Sequence, residues 1–255
     1  MKLYMVEDDQ AASRLAAEFL AREIRRRPAL VLGLATGGTP LGMYRELVRL
    51  HREEGLDFSR VTSFNLDEYV GLSPGHPHSY RTYMQQNLFD HVNILPSRTH
   101  VPRGGAPDLT AECDRYEREI AQAGGIDIQV LGIGRNGHIG FNEPGSAIDT
   151  TTRVVELAPS TLEANARYFG AVAEVPTRAI TMGIRTILGA KRILLLAAGP
   201  TKAQALQQML EGEITPQLPA SLLRRHPDVT VIADRQAASL LSGHSGQGNG
   251  SVPGE

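Results

Sequence analysis

Short apolar runs alternate with amphipathic helical segments along almost the whole chain, and this alternation is the feature that most constrains the fold. The runs at 29–35 (ALVLGLA) and 126–134 (IDIQVLGIG) are hydrophobic at nearly every position, which is typical of strands buried on both faces of a parallel sheet. Between such runs, apolar residues recur at helical spacing, as Met43, Leu47 and Leu50 do. The pattern predicts an α/β fold with a mostly parallel sheet and helices on both of its faces.

The remaining elements follow the same alternation. Further strands are predicted at 61–66, 152–157, 178–183, 191–199 and 228–234. Helices are predicted at 10–26 with Asp9 as N-cap, from Pro40 to near Gly55, at 79–89, from Asp108 through Ala123, and at 160–169, 184–189 and 201–211. No internal repeat or Pro/Ser-rich linker divides the chain. We therefore expect residues 1–241 to form one domain and the Gly/Ser-rich residues 242–255 to form a flexible tail.

Composition excludes several classes of protein. The chain has 255 residues, of which 41% are hydrophobic and 21% charged, so it can bury a sizeable core and is not intrinsically disordered. Its 26 basic and 28 acidic side chains leave a net charge of -2, without the basic excess of a nucleic-acid-binding protein. The single cysteine, Cys113, excludes an internal disulfide and a cysteine-based zinc site. No apolar run approaches the roughly 20 residues of a membrane span, and the first ten residues are not typical of a signal peptide, so we expect a soluble cytoplasmic protein.

Open α/β sheets bind ligands beyond the carboxyl ends of their strands, and the first such place here is the loop 36–40, TGGTP. Glycine lets backbone N–H groups approach an anion, and the N-terminus of the next helix favours negative charge. The loop therefore predicts a phosphate site, although a plain turn explains the same glycines. Arg167 and Lys202 would complete that site if they face the loop, and are solvated surface charges if they do not. The loop lacks the lysine of a P-loop and the G-x-G-x-x-G spacing, so a nucleotide is not favoured.

Two adjacent carboxylates, Asp67 and Glu68, follow the strand at 61–66. Alternation along an extended chain points them in different directions, so they should not share one role. One is a candidate general base and the other a structural partner. The alternative interpretation is a helix-capping or salt-bridged Asp.

The end of the strand at 126–134 leads into a glycine-rich loop that contains Asn136, His138 and Glu143. A histidine held by a carboxylate and an amide is a candidate proton shuttle near pH 7. The alternative is a loop histidine bonded to the backbone. The three side chains offer one good nitrogen ligand, so we expect no metal at this loop.

Five segments of the chain resemble the glucosamine-6-phosphate deaminase family: ATGGTPLGMY, FNLDEYVGL, HPHSYRTYM, GIGRNGHIGFNEPGS and GPTKAQAL, in this order. The resemblance implies a modified Rossmann-like, three-layer α/β fold. It implies conversion of D-glucosamine 6-phosphate and water to D-fructose 6-phosphate and ammonia, in amino-sugar catabolism. It also implies a sugar phosphate as the partner, with no organic cofactor and no catalytic metal. From charge and hydropathy we expect no nucleic acid and no membrane as a partner, and a homo-oligomer stays possible.

The same resemblance implies a role for each candidate residue. Asp67 matches the base that enolises the open-chain sugar, and His138 matches the acid/base that opens the ring. Asn136 and Glu143 match the partners of His138. The positions that match the phosphate site are Thr36, Gly37, Gly38, Thr39, Arg167 and Lys202.

The chain departs from part of that family at several positions. Some members have Asp where Asn136 stands. Members activated by N-acetylglucosamine 6-phosphate bind it with Arg, Lys, Ser and a C-terminal Tyr. Arg153 and Ser146 remain here, but Val155 and Ala147 replace a Lys and a Ser, and the tail has no Tyr. The resemblance therefore predicts no such activation.

Two alternative functions stay open. A 6-phosphogluconolactonase would share the fold and the Gly-Gly loop, but the chain continues differently from that family after His138, with FNEP at residues 141–144. A sugar-phosphate sensor would bind without turnover, but it would need a DNA-binding module, and only one short helix precedes Leu30.

Overall fold

The computed structural model describes residues 1–169 and 175–242, with the side chains at 160, 164, 165, 167 and 168 outside the description. Within that part of the chain the strands are β1 (Lys2–Val6), β2 (Val31–Leu34), β3 (Thr62–Asn65), β4 (Asp67–Tyr69), β5 (Thr99–His100), β6 (Ile128–Gly132), β7 (Arg153–Glu156), β8 (Arg178–Thr181), β9 (Arg192–Ala197) and β10 (Val229–Asp234). The helices are α1 (Asp9–Arg26), α2 (Leu41–Glu54), α3 (Tyr80–Asn87), α4 (Leu109–Gln122), α5 (Pro159–Phe169), α6 (Ile184–Leu188) and α7 (Ala203–Glu211). Each helix and strand predicted above is present, with ends that differ by a few residues.

Seven strands form one parallel sheet in the order β1-β10-β9-β6-β2-β3-β5. The chain runs outward from β2 to β3 and β5, then returns to β6 on the other side of β2. The strand order therefore reverses between β2 and β6, and such a switch point is where open α/β sheets bind ligands. The predicted α/β sheet is confirmed, and the two glycine-rich loops that follow β2 and β6 lie side by side at this point.

A second sheet, antiparallel and in the order β4-β8-β7, was not predicted from the sequence. Its register places Asp67 opposite Thr181. Leu66 joins the two sheets, because its N–H donates to the carbonyl of Leu34 (3.0 Å) and its own carbonyl accepts from the N–H of Met182 (2.7 Å). β4 has only three residues, too few for a strand period to be recognised.

Three smaller details also differ from the sequence-based expectation. β1 and β5 were not predicted, and both are short strands at the edges of the parallel sheet. Asp8, rather than Asp9, caps α1 by accepting from the N–H of Ala11 at 2.7 Å. Asp108 caps α4 as predicted, by accepting from the N–H of Ala111 at 2.9 Å.

Apolar side chains pack on both faces of the parallel sheet. In β2, Leu32 and Leu34 contact the layer that includes α1 and α2, whereas Val31 and the adjacent Ala35 contact the layer that includes α4, α6 and α7. Burying one large aliphatic side chain contributes about 1.5–3 kcal/mol, so both helix layers are strongly attached to the sheet. The rigid three-layer body supports the loops at its carboxyl edge.

Within the described residues, no helix combines the length and the apolar character that crossing a membrane requires. Residues 243–255 lie outside the described part of the chain, so the division into one domain and a flexible tail stays a prediction.

Candidate active site

A cleft of about 1820 Å³ opens at the carboxyl edge of the parallel sheet. The predicted site residues that line it are Thr36, Gly37, Gly38, Thr39, Asp67, Asn136, His138 and Lys202. Glu143 lies behind them, bonded to Asn136. Arg167 belongs to α5, but its side chain is outside the described part of the structure. The fold thus brings together residues that follow four different strands and are far apart in the sequence.

The glycine-rich loop after β2 is held by two tyrosines. The hydroxyl of Tyr44 donates to the carbonyl of Ala35 (2.5 Å), and the hydroxyl of Tyr83 donates to the carbonyl of Gly37 (2.6 Å). Gly37 has φ +91°, a left-handed conformation that favours glycine. Because a trans peptide points its C=O and N–H in opposite directions, the N–H of Gly38 points away from Tyr83. The two bonds therefore fix the orientation of the peptide planes that follow Ala35 and Gly37.

Lys202 reaches the cleft from a turn that follows β9. The turn starts at Gly199, whose φ is +84° and whose N–H donates to Asp234 Oδ2 at 2.9 Å. The other oxygen of Asp234 accepts from the N–H of Ala237 at 2.7 Å. Asp234 ends the adjacent strand β10, so two neighbouring strands position this lysine. Asp234 was not singled out from the sequence, since an acidic residue at a strand end has many uses.

Asp67 and Glu68 point to different surroundings, as alternation along β4 predicts. Glu68 is buried and accepts from the N–H groups of Tyr69 (2.9 Å), Tyr80 (2.9 Å) and Arg81 (3.0 Å), so it caps α3. Glu68 therefore has a structural role at the start of α3. Asp67 faces the cleft instead.

The environment of Asp67 makes its carboxylate unusually basic. Asp67 is only 5% exposed, and burial, reinforced by the charge of Glu68, raises its pKa to about 8. A Cβ atom placed on Gly140 would lie 3.6 Å from Asp67 Oδ2, so β4 approaches the loop that follows His138. A carboxylate with such a pKa is well matched to removing a proton near neutral pH.

Hydrogen bonds determine the tautomer of His138. Its Nδ1–H donates to Asn136 Oδ1 at 2.7 Å, and its backbone N–H donates to the same oxygen at 3.2 Å. The amide of Asn136 cannot be reversed, because its Nδ2 donates to Glu143 Oε2 at 2.8 Å. Nδ1 therefore bears the proton, and Nε2 bears the lone pair that can act as a base. The sequence indicated partners for His138, and the structure shows that Asn136 is the direct one, whereas Glu143 Oε2 is 3.7 Å from Nδ1.

The charge state of His138 follows from its surroundings. Burial lowers the pKa of His138, the nearby Glu143 carboxylate raises it, and the positive charge of Lys202 lowers it further. The net direction is downward, which favours the neutral imidazole. A Cβ on Gly134 would lie 2.2 Å from the imidazole Cε1, so the glycine at this position leaves room for the ring.

Several supporting residues could not be found from the sequence. Thr161, in the first turn of α5, donates its hydroxyl to Glu143 Oε1 at 2.5 Å. Thr181 accepts from the N–H of Phe141 at 3.1 Å and also lies opposite Asp67 in the second sheet. These contacts join distant parts of the chain, and a threonine in a helix or strand has no pattern that would reveal them.

The comparisons with known proteins agree with this geometry. Residues 7–232 match the family model described as glucosamine-6-phosphate isomerases/6-phosphogluconolactonase. The chain belongs to this family. The isomerase/lactonase family thus includes both the activity implied by the resemblance and its enzymatic alternative.

Relatives within the family separate the two activities. A glucosamine-6-phosphate deaminase of Thermoanaerobacter pseudethanolicus is 51% identical over 241 residues, covering 94% of this chain and 95% of that protein. One from Halalkalibacterium halodurans is 53% identical over 242 residues, covering 95% and 98%. A solved structure of a monomeric glucosamine-6-phosphate deaminase has a TM-score of 0.93 and 53% identity, covering 94% and 100%. The 6-phosphogluconolactonase of Trypanosoma cruzi has a TM-score of 0.77 at 21% identity, covering 94% and 97%, which shows the shared fold alone.

Proposed function

We propose that the chain is a glucosamine-6-phosphate deaminase that converts D-glucosamine 6-phosphate and water to D-fructose 6-phosphate and ammonia, in amino-sugar catabolism. The observation that supports this most is the pairing of two bases in one cleft. Asp67 has a raised pKa, and His138 has a fixed tautomer and a lowered pKa. Deaminase relatives at 51–53% identity over almost the whole chain support the same reaction.

The phosphate of the substrate is assigned to the loop after β2. Backbone N–H groups between Thr36 and Thr39 and the ammonium of Lys202 would hold it, with Arg167 added on the family resemblance. The phosphate is remote from the reacting carbons. Its binding energy serves to hold C1 and C2 in register with the two bases.

His138 is assigned to the opening of the sugar ring. The substrate is a cyclic hemiacetal, so the anomeric hydroxyl must lose a proton and the ring oxygen must gain one. His138 Nε2 accepts the first proton and delivers it to the ring oxygen as the C1–O5 bond breaks. Asn136 keeps Nδ1 protonated throughout, and Glu143 stabilises the transient imidazolium through the amide.

Asp67 is assigned to the transfer of hydrogen from C2 to C1. The aldehyde formed by ring opening acidifies the C2 proton, and the Asp67 carboxylate removes it. The electrons of the C2–H bond form the C1–C2 double bond while the ammonium group on C2 gives one of its protons to O1. Asp67 then returns its proton to C1, which leaves an iminium group at C2. Water adds to C2 and ammonia leaves, giving the ketone of fructose 6-phosphate.

A product assay tests this proposal. Purified protein is incubated with glucosamine 6-phosphate, and fructose 6-phosphate and ammonia are measured separately by coupled enzymes. We expect the two products in equal amounts and no hydrolysis of 6-phosphogluconolactone. Lactone hydrolysis without ammonia release would favour the lactonase alternative. Binding without either product would favour a sensor.

The proposal extends to assembly and location. The solved relative at 53% identity is described as monomeric, and we assign the same state to this chain in place of a homo-oligomer. A sugar-phosphate substrate, with no nucleic acid or membrane as a partner, is consistent with the cytoplasmic location expected from the sequence. Light scattering should give a mass near 27.6 kDa.

A further inference from the structure

We propose that Thr161 is a positioning residue for His138, and that its hydroxyl keeps the imidazole in the working tautomer through Glu143 and Asn136. The kinetic consequence rests on the proposed deaminase function, whereas the effect on the tautomer does not. Nothing in the sequence assigned Thr161 a role. In the structure, Thr161 is the last residue in a series of hydrogen bonds that begins at the imidazole of His138.

The chain of hydrogen bonds is continuous. Thr161 Oγ1 donates to Glu143 Oε1 at 2.5 Å, Asn136 Nδ2 donates to Glu143 Oε2 at 2.8 Å, and His138 Nδ1 donates to Asn136 Oδ1 at 2.7 Å. Thr161 is 6% exposed, so water does not readily replace its hydroxyl. The two hydrogen bonds fix the orientation of the Glu143 carboxylate, because one oxygen accepts from Thr161 and the other from Asn136.

Removing the hydroxyl of Thr161 would remove the hydrogen bond to Glu143 Oε1. The carboxylate of Glu143 could then turn about its terminal torsion, which has a broad and roughly two-fold preference. Asn136 would lose its bond to Glu143, and reversal of its amide would then be opposed by the longer, 3.2 Å bond from the backbone N–H of His138 to Oδ1. A reversed amide would present Nδ2, a donor, to His138 Nδ1, and this favours the tautomer with the proton on Nε2. That tautomer cannot accept a proton at Nε2.

Thr161 is suited to this task by its chemistry and its place. Its β-branched side chain has two common χ1 rotamers in a helix, and the hydrogen bond to Glu143 Oε1 selects the one that is observed. It lies in the first turn of α5, the helix that also contains Arg167. The tautomer of His138 therefore depends on where α5 begins relative to the loop that holds Glu143.

The test compares Thr161→Val, which keeps the shape but removes the hydroxyl, with Thr161→Ser, which keeps the hydroxyl. Thr186→Val is the matched control, because Thr186 Oγ1 donates to the carboxylate of Glu117 at 2.6 Å away from the cleft. Nitrogen-15 NMR of histidine-labelled protein without substrate reports which imidazole nitrogen bears the proton. A His138→Asn variant identifies the signals of this ring.

In the wild type, in Thr161→Ser and in Thr186→Val we expect Nδ1 to be protonated. Thr161→Val should show a mixture of tautomers and a kcat about tenfold lower, a part of the 10²–10⁴-fold that general acid–base catalysis contributes. KM should change by less than about threefold. If Thr161→Val does not fold, Thr161→Ala, which also lacks the hydroxyl, takes the place of Thr161→Val in both measurements.

An unchanged tautomer together with wild-type kcat in the variant without the hydroxyl would overturn the inference. A loss of kcat in Thr161→Ser equal to that in Thr161→Val would also overturn it, since the hydroxyl would not be the cause. Failure of the wild type to release ammonia would refute the proposed function instead. The NMR comparison would still decide the role of Thr161.

Discussion

The hydroxyl of Tyr83, in α3, donates a 2.6 Å hydrogen bond to the carbonyl of Gly37, 46 residues away in the loop after β2. This contact attaches the proposed phosphate loop to a helix that lies far from it in the sequence. It orients the peptide between Gly37 and Gly38, so that the Gly38 N–H points away from Tyr83.

Tyr83→Phe should weaken binding of the substrate phosphate. A neutral hydrogen bond contributes about 1 kcal/mol, so we expect KM for glucosamine 6-phosphate to rise about three- to tenfold with little change in kcat. The inhibition constant of inorganic phosphate should rise in parallel. Tyr4→Phe, in the edge strand β1, is the control. An unchanged phosphate affinity in Tyr83→Phe would show that the loop keeps its shape without this bond.

Asp67→Asn should abolish most of the turnover. The variant keeps the shape of the side chain but cannot accept the C2 proton, so we expect kcat to fall by roughly 10²–10⁴-fold. KM should change much less, because the phosphate contacts remain. Asp114→Asn, on the exposed face of α4, is the control. Near-normal kcat in Asp67→Asn would refute the assignment of the base.

The same substitution should stabilise the fold at alkaline pH. The pKa of Asp67 is about 8 in the folded chain and about 3.8 in the unfolded chain, so the folded state binds more protons between these values. The contribution of Asp67 to stability is therefore full below about pH 4 and is lost as the pH rises towards 8. Asn does not titrate, so the stability of Asp67→Asn relative to the wild type should increase as the pH rises from about 4 to 8.

We expect the free energy of unfolding of Asp67→Asn to exceed that of the wild type by several kcal/mol at pH 8, and by less than half as much at pH 5. One pKa unit corresponds to about 1.4 kcal/mol, and far more of the interval between the unfolded and folded pKa values has been crossed at pH 8 than at pH 5. Urea titrations at several pH values measure the difference. A difference that does not depend on pH would mean that Asp67 titrates normally.

Lys202→Ala should raise KM by one to two decades. A hydrogen bond to a charged group is worth about 1.5–3 kcal/mol, and the variant loses the ammonium assigned to the phosphate. Unphosphorylated glucosamine should be a very poor substrate of the wild type. Lys2→Ala, at an exposed position of β1, is the control. If Lys202→Ala left KM unchanged, the lysine would have no part in phosphate binding.

Activation by N-acetylglucosamine 6-phosphate should be absent. Val155 packs against the apolar cluster that includes Tyr69 and Phe141, where activated family members are expected to have a lysine. The guanidinium of Arg153 already donates to Asn142 Oδ1 at 2.8 Å. An effector that gains no differential affinity between two states cannot shift them. Substrate titrations with and without the acetylated sugar should both be hyperbolic, and a sigmoidal curve that the sugar makes hyperbolic would contradict this.

Local sequence alone determined all the helices, most of the strands and the shape of some turns. The apolar run around Leu32 and Leu34 predicts a buried strand, and Asp108 predicts a helix start, because each depends on residues within one or two turns of the chain. The left-handed φ of Gly37 is likewise a local requirement that glycine meets. Asp67 and His138 could also be predicted as candidate bases from the sequence. Both follow strands whose ends were recognisable, and ligands bind at such ends.

Only the tertiary structure decided which groups meet. Thr161 and Glu143 are 18 residues apart, and Asp234 and Gly199 are 35 apart, so no short-range pattern links them. The pairing of β4 with β8, which buries Asp67 and raises its pKa, also depends on a contact across more than a hundred residues. Hydrogen-bond direction and desolvation are properties of the surrounding atoms, and these are assembled only when the distant segments pack together.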